Sequence, residues 1–124
     1  MKEMIILFAA FFSLAFASAQ VTSGDIIGEW YGEEQDESYF EVTRERNGMY
    51  RAVVTASVEP ENIGKVVFDD VLYDPDSKTW KGTLTPPGRS TSVDAEFTLV
   101  GEKQLQIDGK LAFISKTFLW ERSL

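Results

Sequence analysis

From Gln20 onward the apolar residues fall at a period of two, in short runs broken by turn residues. The clearest run covers 91–100. There Val93, Ala95, Phe97 and Leu99 face one way, and Asp94, Glu96 and Thr98 the other. This alternation predicts a strand with one buried and one solvated face. The same pattern predicts strands over 26–31, 38–46, 49–58, 65–73, 80–84, 104–107, 110–114 and 116–122, after a lead-in at 21–25 with room for one helical turn. On these strands Phe40, Val42, Tyr50, Ala52, Val54, Ala56, Leu105 and Ile107 take inward positions.

The breaks are turn chemistry. Asn47-Gly48 and Asp108-Gly109 are both hairpin signals, because these residues tolerate the positive φ of a type I′ turn. Pro75 is preset for the second position of a turn over 74–78, and Pro86-Pro87 interrupts the ladder after 84. Residues 33–37 and 59–64 read as loops. Eight or nine short strands, each joined to the next by a short turn, predict an all-β fold, a sandwich or a barrel. The ends of the run point to the barrel, small, antiparallel and up-and-down. Gly28-Glu29-Trp30 opens the first strand and Trp120-Glu121-Arg122 closes the last, as expected where first and last strands meet.

The start of the chain has a different character. Lys2 precedes an almost unbroken apolar stretch from Met4 to Phe16, and Ala17-Ser18-Ala19 forms a small-x-small triplet. This is the pattern of a cleaved secretory signal peptide over 1–19. The apolar run is short of the about 20 residues of a membrane-spanning helix. Residues 20–124 are then expected to form a single domain, with no membrane span once the leader is removed.

Composition narrows the chemistry. The 124 residues include no cysteine, so no disulfide staples the fold and no thiol carries a lipid at the leader junction. The expectation is an exported bacterial protein, periplasmic or secreted, and not a lipoprotein. The absence of histidine excludes Ser-His-Asp catalysis and histidine-based metal sites. The net charge is −8, and Lys2 and Glu3 cancel within the leader. An acidic surface of this kind repels phosphate, which argues against nucleic acid as a partner.

Other acidic groupings read as ordinary structure. Asp74-Pro75-Asp76-Ser77 begins like a calcium loop, but Thr79 stands where the loop glycine belongs and Thr85 where the bidentate glutamate belongs. Glu33, Glu34, Asp36 and Glu37 read as a solvated loop. Asp69 and Asp70 are neighbours on a strand, so they are expected on opposite faces, one of them inward or at the barrel mouth. A hydrolase would need two such acids across one cleft. No catalytic residue, metal ligand or cofactor is assigned.

Three motifs together carry a resemblance: residues 25–30 (Asp-Ile-Ile-Gly-Glu-Trp), 73–82 (Tyr-Asp-Pro-Asp-Ser-Lys-Thr-Trp-Lys-Gly) and 117–122 (Thr-Phe-Leu-Trp-Glu-Arg). The chain resembles the small exported bacterial proteins of domain-of-unknown-function family 2147. It departs from them in its short 59–64 segment, in Thr85-Pro86-Pro87 and in lacking a cysteine pair. The resemblance implies a lipocalin-like (calycin-type) barrel. It also implies barrel closure by Gly28, Trp30, Trp120 and Arg122, with the guanidinium stacked on the Trp30 indole at one sealed end. A ligand is then expected at the opposite end.

An eight-stranded barrel either fills with side chains or holds one small ligand. The expected function is non-enzymatic binding of a small hydrophobic or amphipathic molecule by Phe40, Val42, Tyr50, Ala52, Phe68 and Phe97. The alternative is an envelope or assembly module that uses the barrel exterior, with a patch expected around Tyr31, Tyr39 and Tyr73.

Overall fold

The computed structural model describes residues 25–123, so the expected leader over 1–19 lies outside the described residues. Eight antiparallel strands close into one up-and-down barrel of lipocalin-like form. They are β1 (Gly28–Gly32), β2 (Ser38–Arg44), β3 (Tyr50–Ala56), β4 (Val66–Asp74), β5 (Thr79–Leu84), β6 (Val93–Val100), β7 (Gln104–Leu111) and β8 (Ile114–Arg122). One short 3₁₀ turn, Pro60–Asn62, interrupts the β3–β4 connection.

Up-and-down topology sorts the connections into two ends. The 45–49, 75–78 and 101–103 turns lie at the end where Asp25 enters and β8 finishes. The 33–37, 57–65, 85–92 and 112–113 connections lie at the other, which we term the loop end.

The seam is closed by few residues. Trp30 pairs with Arg122 and Tyr31 with Glu121. Arg122 places its guanidinium carbon 4.3 Å from the Trp30 ring centroid. It also donates to three carbonyls: Nε to Glu102 at 2.7 Å, Nη1 to Ile27 at 2.9 Å and Nη2 to Asp25 at 2.8 Å. The planar fork satisfies three backbone acceptors while its face covers the indole. Gly28 makes room for it: a Cβ there would sit 2.9 Å from Arg122 Nη1, on a backbone with φ +138°. Trp30 Nε1 donates to the Ile26 carbonyl at 2.9 Å.

The interior is packed with side chains. Phe40 stacks on Trp120 with centroids 4.0 Å apart, and Phe68 meets Phe97 edge-on at 4.9 Å. Around them Trp30, Leu84, Leu105, Ile107, Val42 and Val54 are fully buried. Burying side chains of this size contributes about 1.5–3 kcal/mol each, and in a domain without disulfides this is the main stabilising term.

The structure corrects several local expectations. The described residues form eight strands, because β7 runs straight through Asp108-Gly109. Gly109 is buried under Val93, whose Cγ2 would lie 3.2 Å from an added Cβ, so this glycine serves close packing. The hairpin turns instead at Ala112 and Phe113. At Asn47-Gly48 only Gly48 has positive φ, at 89°. Its amide donates to Glu45 and the Glu45 amide to Met49, a longer loop than a type I′ turn.

Ala56 is exposed, at the end where β3 leaves the barrel. Asp69 and Asp70 are both exposed. Tyr50 pairs with Val71 and Ala52 with Phe68, so β4 carries an extra residue there, and this bulge breaks the alternation that would have sent one acid inward. Asp70 Oδ1 then accepts the Thr83 amide at 2.9 Å. The 74–78 segment is a turn, with Asp74 Oδ1 accepting the Asp76 amide at 3.0 Å. That bond, together with Lys81 Nζ at 3.2 Å, holds the Asp74 carboxyl below its ordinary value.

Candidate functional site

The six residues expected to line a ligand site all belong to the packed core. Phe40, Val42, Tyr50, Ala52, Phe68 and Phe97 each expose 5% or less of their surface. The structure brings them together in one buried core cluster. The tyrosine group splits: Tyr31 and Tyr39 pair at 4.9 Å, whereas Tyr73 packs on Trp80 at 4.8 Å. The buried polar side chains among the described residues are Gln35, Ser38, Asn62 and Thr79, and none of these is an acid.

The loop end is more informative. β1 has five residues and β8 nine. Among the described residues, nothing pairs with the β1-facing edge of β8 before Glu121. Where β1 stops, the chain folds across the mouth in a tight turn with Asp36 and Glu37 at positive φ. This turn is anchored to the 57–64 loop. Asp36 Oδ2 accepts Asn62 Nδ2 at 3.1 Å, and the Asp36 carbonyl accepts Ser57 Oγ at 3.2 Å. The acidic segment is therefore a lid on the barrel mouth, not merely a solvated loop.

The lid inserts one side chain. Gln35 is 5% exposed and accepts, through its Oε1, the indole N–H of Trp120. Gly32 makes this possible, because a Cβ there would meet Trp120 Nε1 at 2.7 Å. An indole nitrogen only donates, so the amide oxygen of Gln35 must face it. The amide nitrogen is thereby assigned to the other side. It is buried and has no partner among the described residues.

Beside it, between the lid, the 86–89 turn and β8, lies a cleft of about 310 Å³. Phe118, Pro86 and Pro87 give it apolar walls, and Lys116 and Arg89 supply cations. Glu34 and Asp36 also border it, and Asp36 is already engaged by Asn62. Lys116 Nζ lies 5.1 Å from the Phe118 ring centroid. None of these was singled out from the sequence as a site residue, since 33–37 and 85–89 read as loops. The one legible signal was the alternation that puts Lys116 and Phe118 on the inner face of β8 beside Trp120.

A second feature projects from the same end. The β7–β8 hairpin ends in Leu111, Ala112, Phe113 and Ile114. Phe113 is completely exposed, at 102%, and Ile114 largely so. Ala112 has φ 56° while Phe113 does not have positive φ, which is the position a type II′ turn gives to glycine.

Among the described residues, no helix is long and apolar enough to cross a membrane, and no group of three or more His, Cys, Asp or Glu side chains is placed to hold a metal ion. Compared with models of known families, with curated proteins and with solved structures, the chain matches none. The fold defines the class here: an eight-stranded, closed, lipocalin-like barrel.

Proposed function

We propose that the chain is an exported, non-enzymatic binding protein of the family 2147 type that takes a small amphipathic molecule at the loop end of its barrel. The expected place at the mouth is kept, and the residues proposed to hold the ligand change from the six buried core residues to those of the cleft. The observation that carries this reading is the cleft where β1 ends and β8 continues, with an apolar wall at Phe118 and a buried amide donor at Gln35. Its volume sits at the lower end of ligand pockets, about 300–1,000 Å³, which suits a small molecule rather than a long acyl chain.

Displacement of an environment-sensitive naphthalene sulfonate dye tests the reading. Phe118→Ala should weaken dye binding about tenfold, as loss of a buried aromatic contact would. Dye binding that ignores Phe118→Ala and is abolished by filling the core with Ala52→Leu would return the site to the lumen.

The alternative of an exterior interaction module is favoured by Phe113. A fully exposed phenylalanine at a hairpin apex, beside Leu111 and Ile114, is an apolar patch of the kind that marks contact surfaces. Capture of an envelope partner that wild-type protein retains and Phe113→Ser loses would support it.

A further inference from the structure

We infer that the open edge of β8 pairs with the same edge of a second copy of this chain, and that Phe113 of each copy fills a groove on the other; this rests on reading Phe113 as an exterior contact and names its partner. β1 stops at Gly32, which in its register falls opposite Trp120. Among the described residues, β8 therefore has no strand beside it from Ile114 to Leu119. Two bonds fix which backbone groups face that gap. The Arg122 N–H donates to Lys103 on the β7 side, and the Ser123 N–H to Glu29 on the β1 side. These directions alternate along a strand, so Ser115, Thr117 and Leu119 turn their N–H and C=O to the open side. An exposed edge of this kind is a template for another strand.

The edge is complementary to itself. With a twofold axis at Thr117, Ser115 of one copy lies opposite Leu119 of the other. Lys116 then faces Phe118 rather than a second lysine, repeating the contact it makes at 5.1 Å within its own chain. β1 blocks the ladder beyond Leu119, so the apex of the second copy passes over the outer face. Phe113, four residues before Thr117, arrives beside Glu121, four residues after it. There the outer face holds a groove of about 490 Å³ between Tyr31 and Leu119, rimmed by Glu33, Glu34 and Glu121. Phe113 buries nothing within its own chain and supplies a ring for that groove. The charges agree, since no acid stands between Asp108 and Glu121 while Lys110 and Lys116 do. Asp94 opposes Lys110 from β6, so the apolar fit is the main term. Ring and groove stand on every copy, as an isologous pair requires.

Sedimentation velocity of the purified protein tests the pairing. A dimer is expected at about 100 µM, a concentration at which an interface of modest size associates. Phe113→Glu sets a charge against the acidic rim, and Thr117→Pro removes the central edge donor; each should weaken the dimer about tenfold or more. Position 113 is fully exposed, so Phe113→Glu should melt with the wild type at about 1 µM. The chain has no cysteine, so one introduced thiol reports the register. Thr117→Cys should give a disulfide-linked dimer on oxidation, because residues facing across such a pair have Cα atoms about 5.5 Å apart. Ser115→Cys, whose partner is Leu119, should not. A wild-type protein that stays monomeric at about 1 mM, a dimer that ignores Phe113→Glu and Thr117→Pro, or equal cross-linking at 115 and 117 would overturn the pairing. A monomer that still captures an envelope partner through Phe113 would overturn the second copy and leave the exterior reading standing. A monomer that captures none would overturn both.

Discussion

Trp120 and Gln35 stand 85 positions apart in the chain and meet in a buried hydrogen bond that joins the last strand to the lid over the barrel mouth. The bond is structural and directional at once. It seats the lid, and it decides that the amide oxygen of Gln35 is the end turned to the indole.

Removing the acceptor should therefore be costly. Gln35→Leu leaves the Trp120 indole N–H buried and unpaired, and the expected loss is about 1–3 kcal/mol in urea unfolding. A double-mutant cycle with Trp120→Phe should show coupling of about 1 kcal/mol or more between the two positions, as contacting residues do. Additive effects would mean that the lid is held by the bonds of Asp36 to Asn62 and Ser57 without help from Gln35.

The opposite end depends on Arg122. Arg122→Lys keeps the charge but loses the planar fork that reaches the Asp25, Ile27 and Glu102 carbonyls and covers Trp30. The expected cost is about 1–3 kcal/mol, with Arg122→Ala at least as severe. Faster amide exchange at Trp30 and Tyr31 than in β6 would locate the damage at the seam.

The β7–β8 apex should behave in the reverse way. Phe113→Ser is expected to change stability by less than about 0.5 kcal/mol, because the ring buries nothing. By contrast Phe97→Ala in the core should lose about 3–5 kcal/mol. Ala112→Gly relieves a non-glycine residue at φ 56° and should raise stability by up to about 1 kcal/mol. Thermal denaturation of the three variants side by side gives the ranking.

Tyr50 predicts a loss of stability in alkali. Burial, above all, raises its phenol above the ordinary value of 10.0; Asp25 adds to this, and Trp80 and Arg44 oppose it. The folded state thus favours the neutral phenol more than the unfolded chain does. The contribution is complete below pH 10 and is lost as pH rises from there through the folded value, because the unfolded chain ionises first. The urea midpoint should fall over that window, and Tyr50→Phe should flatten the fall. Tyr31, also raised chiefly by burial and then by Glu37 and Glu33, adds a second component that Tyr50→Phe leaves in place.

Much of the barrel was legible in the chain, because strand periodicity is local. Val93, Ala95, Phe97 and Leu99 announce a half-buried strand, and Asp74-Pro75 announces a turn, without reference to anything distant. The failures share one cause. Asp108-Gly109 has the local chemistry of a hairpin, but Gly109 is buried under Val93 on β6, and only the neighbouring strand could reveal that. Asp69 and Asp70 follow the period of two until a bulge against β3 turns both outward.

The sequence by itself determined an all-β chain of short strands, an acidic surface and a chemistry without cysteine or histidine. It also marked Trp30 and Arg122 as the ends of one closure. Tertiary structure alone decided that the interior is packed, that residues 33–37 form a lid, and that Gln35 sits buried against Trp120 and beside Lys116 and Phe118. Periodicity is written residue by residue, whereas a cleft forms where two strands of unequal length, β1 and β8, meet after the whole barrel has closed.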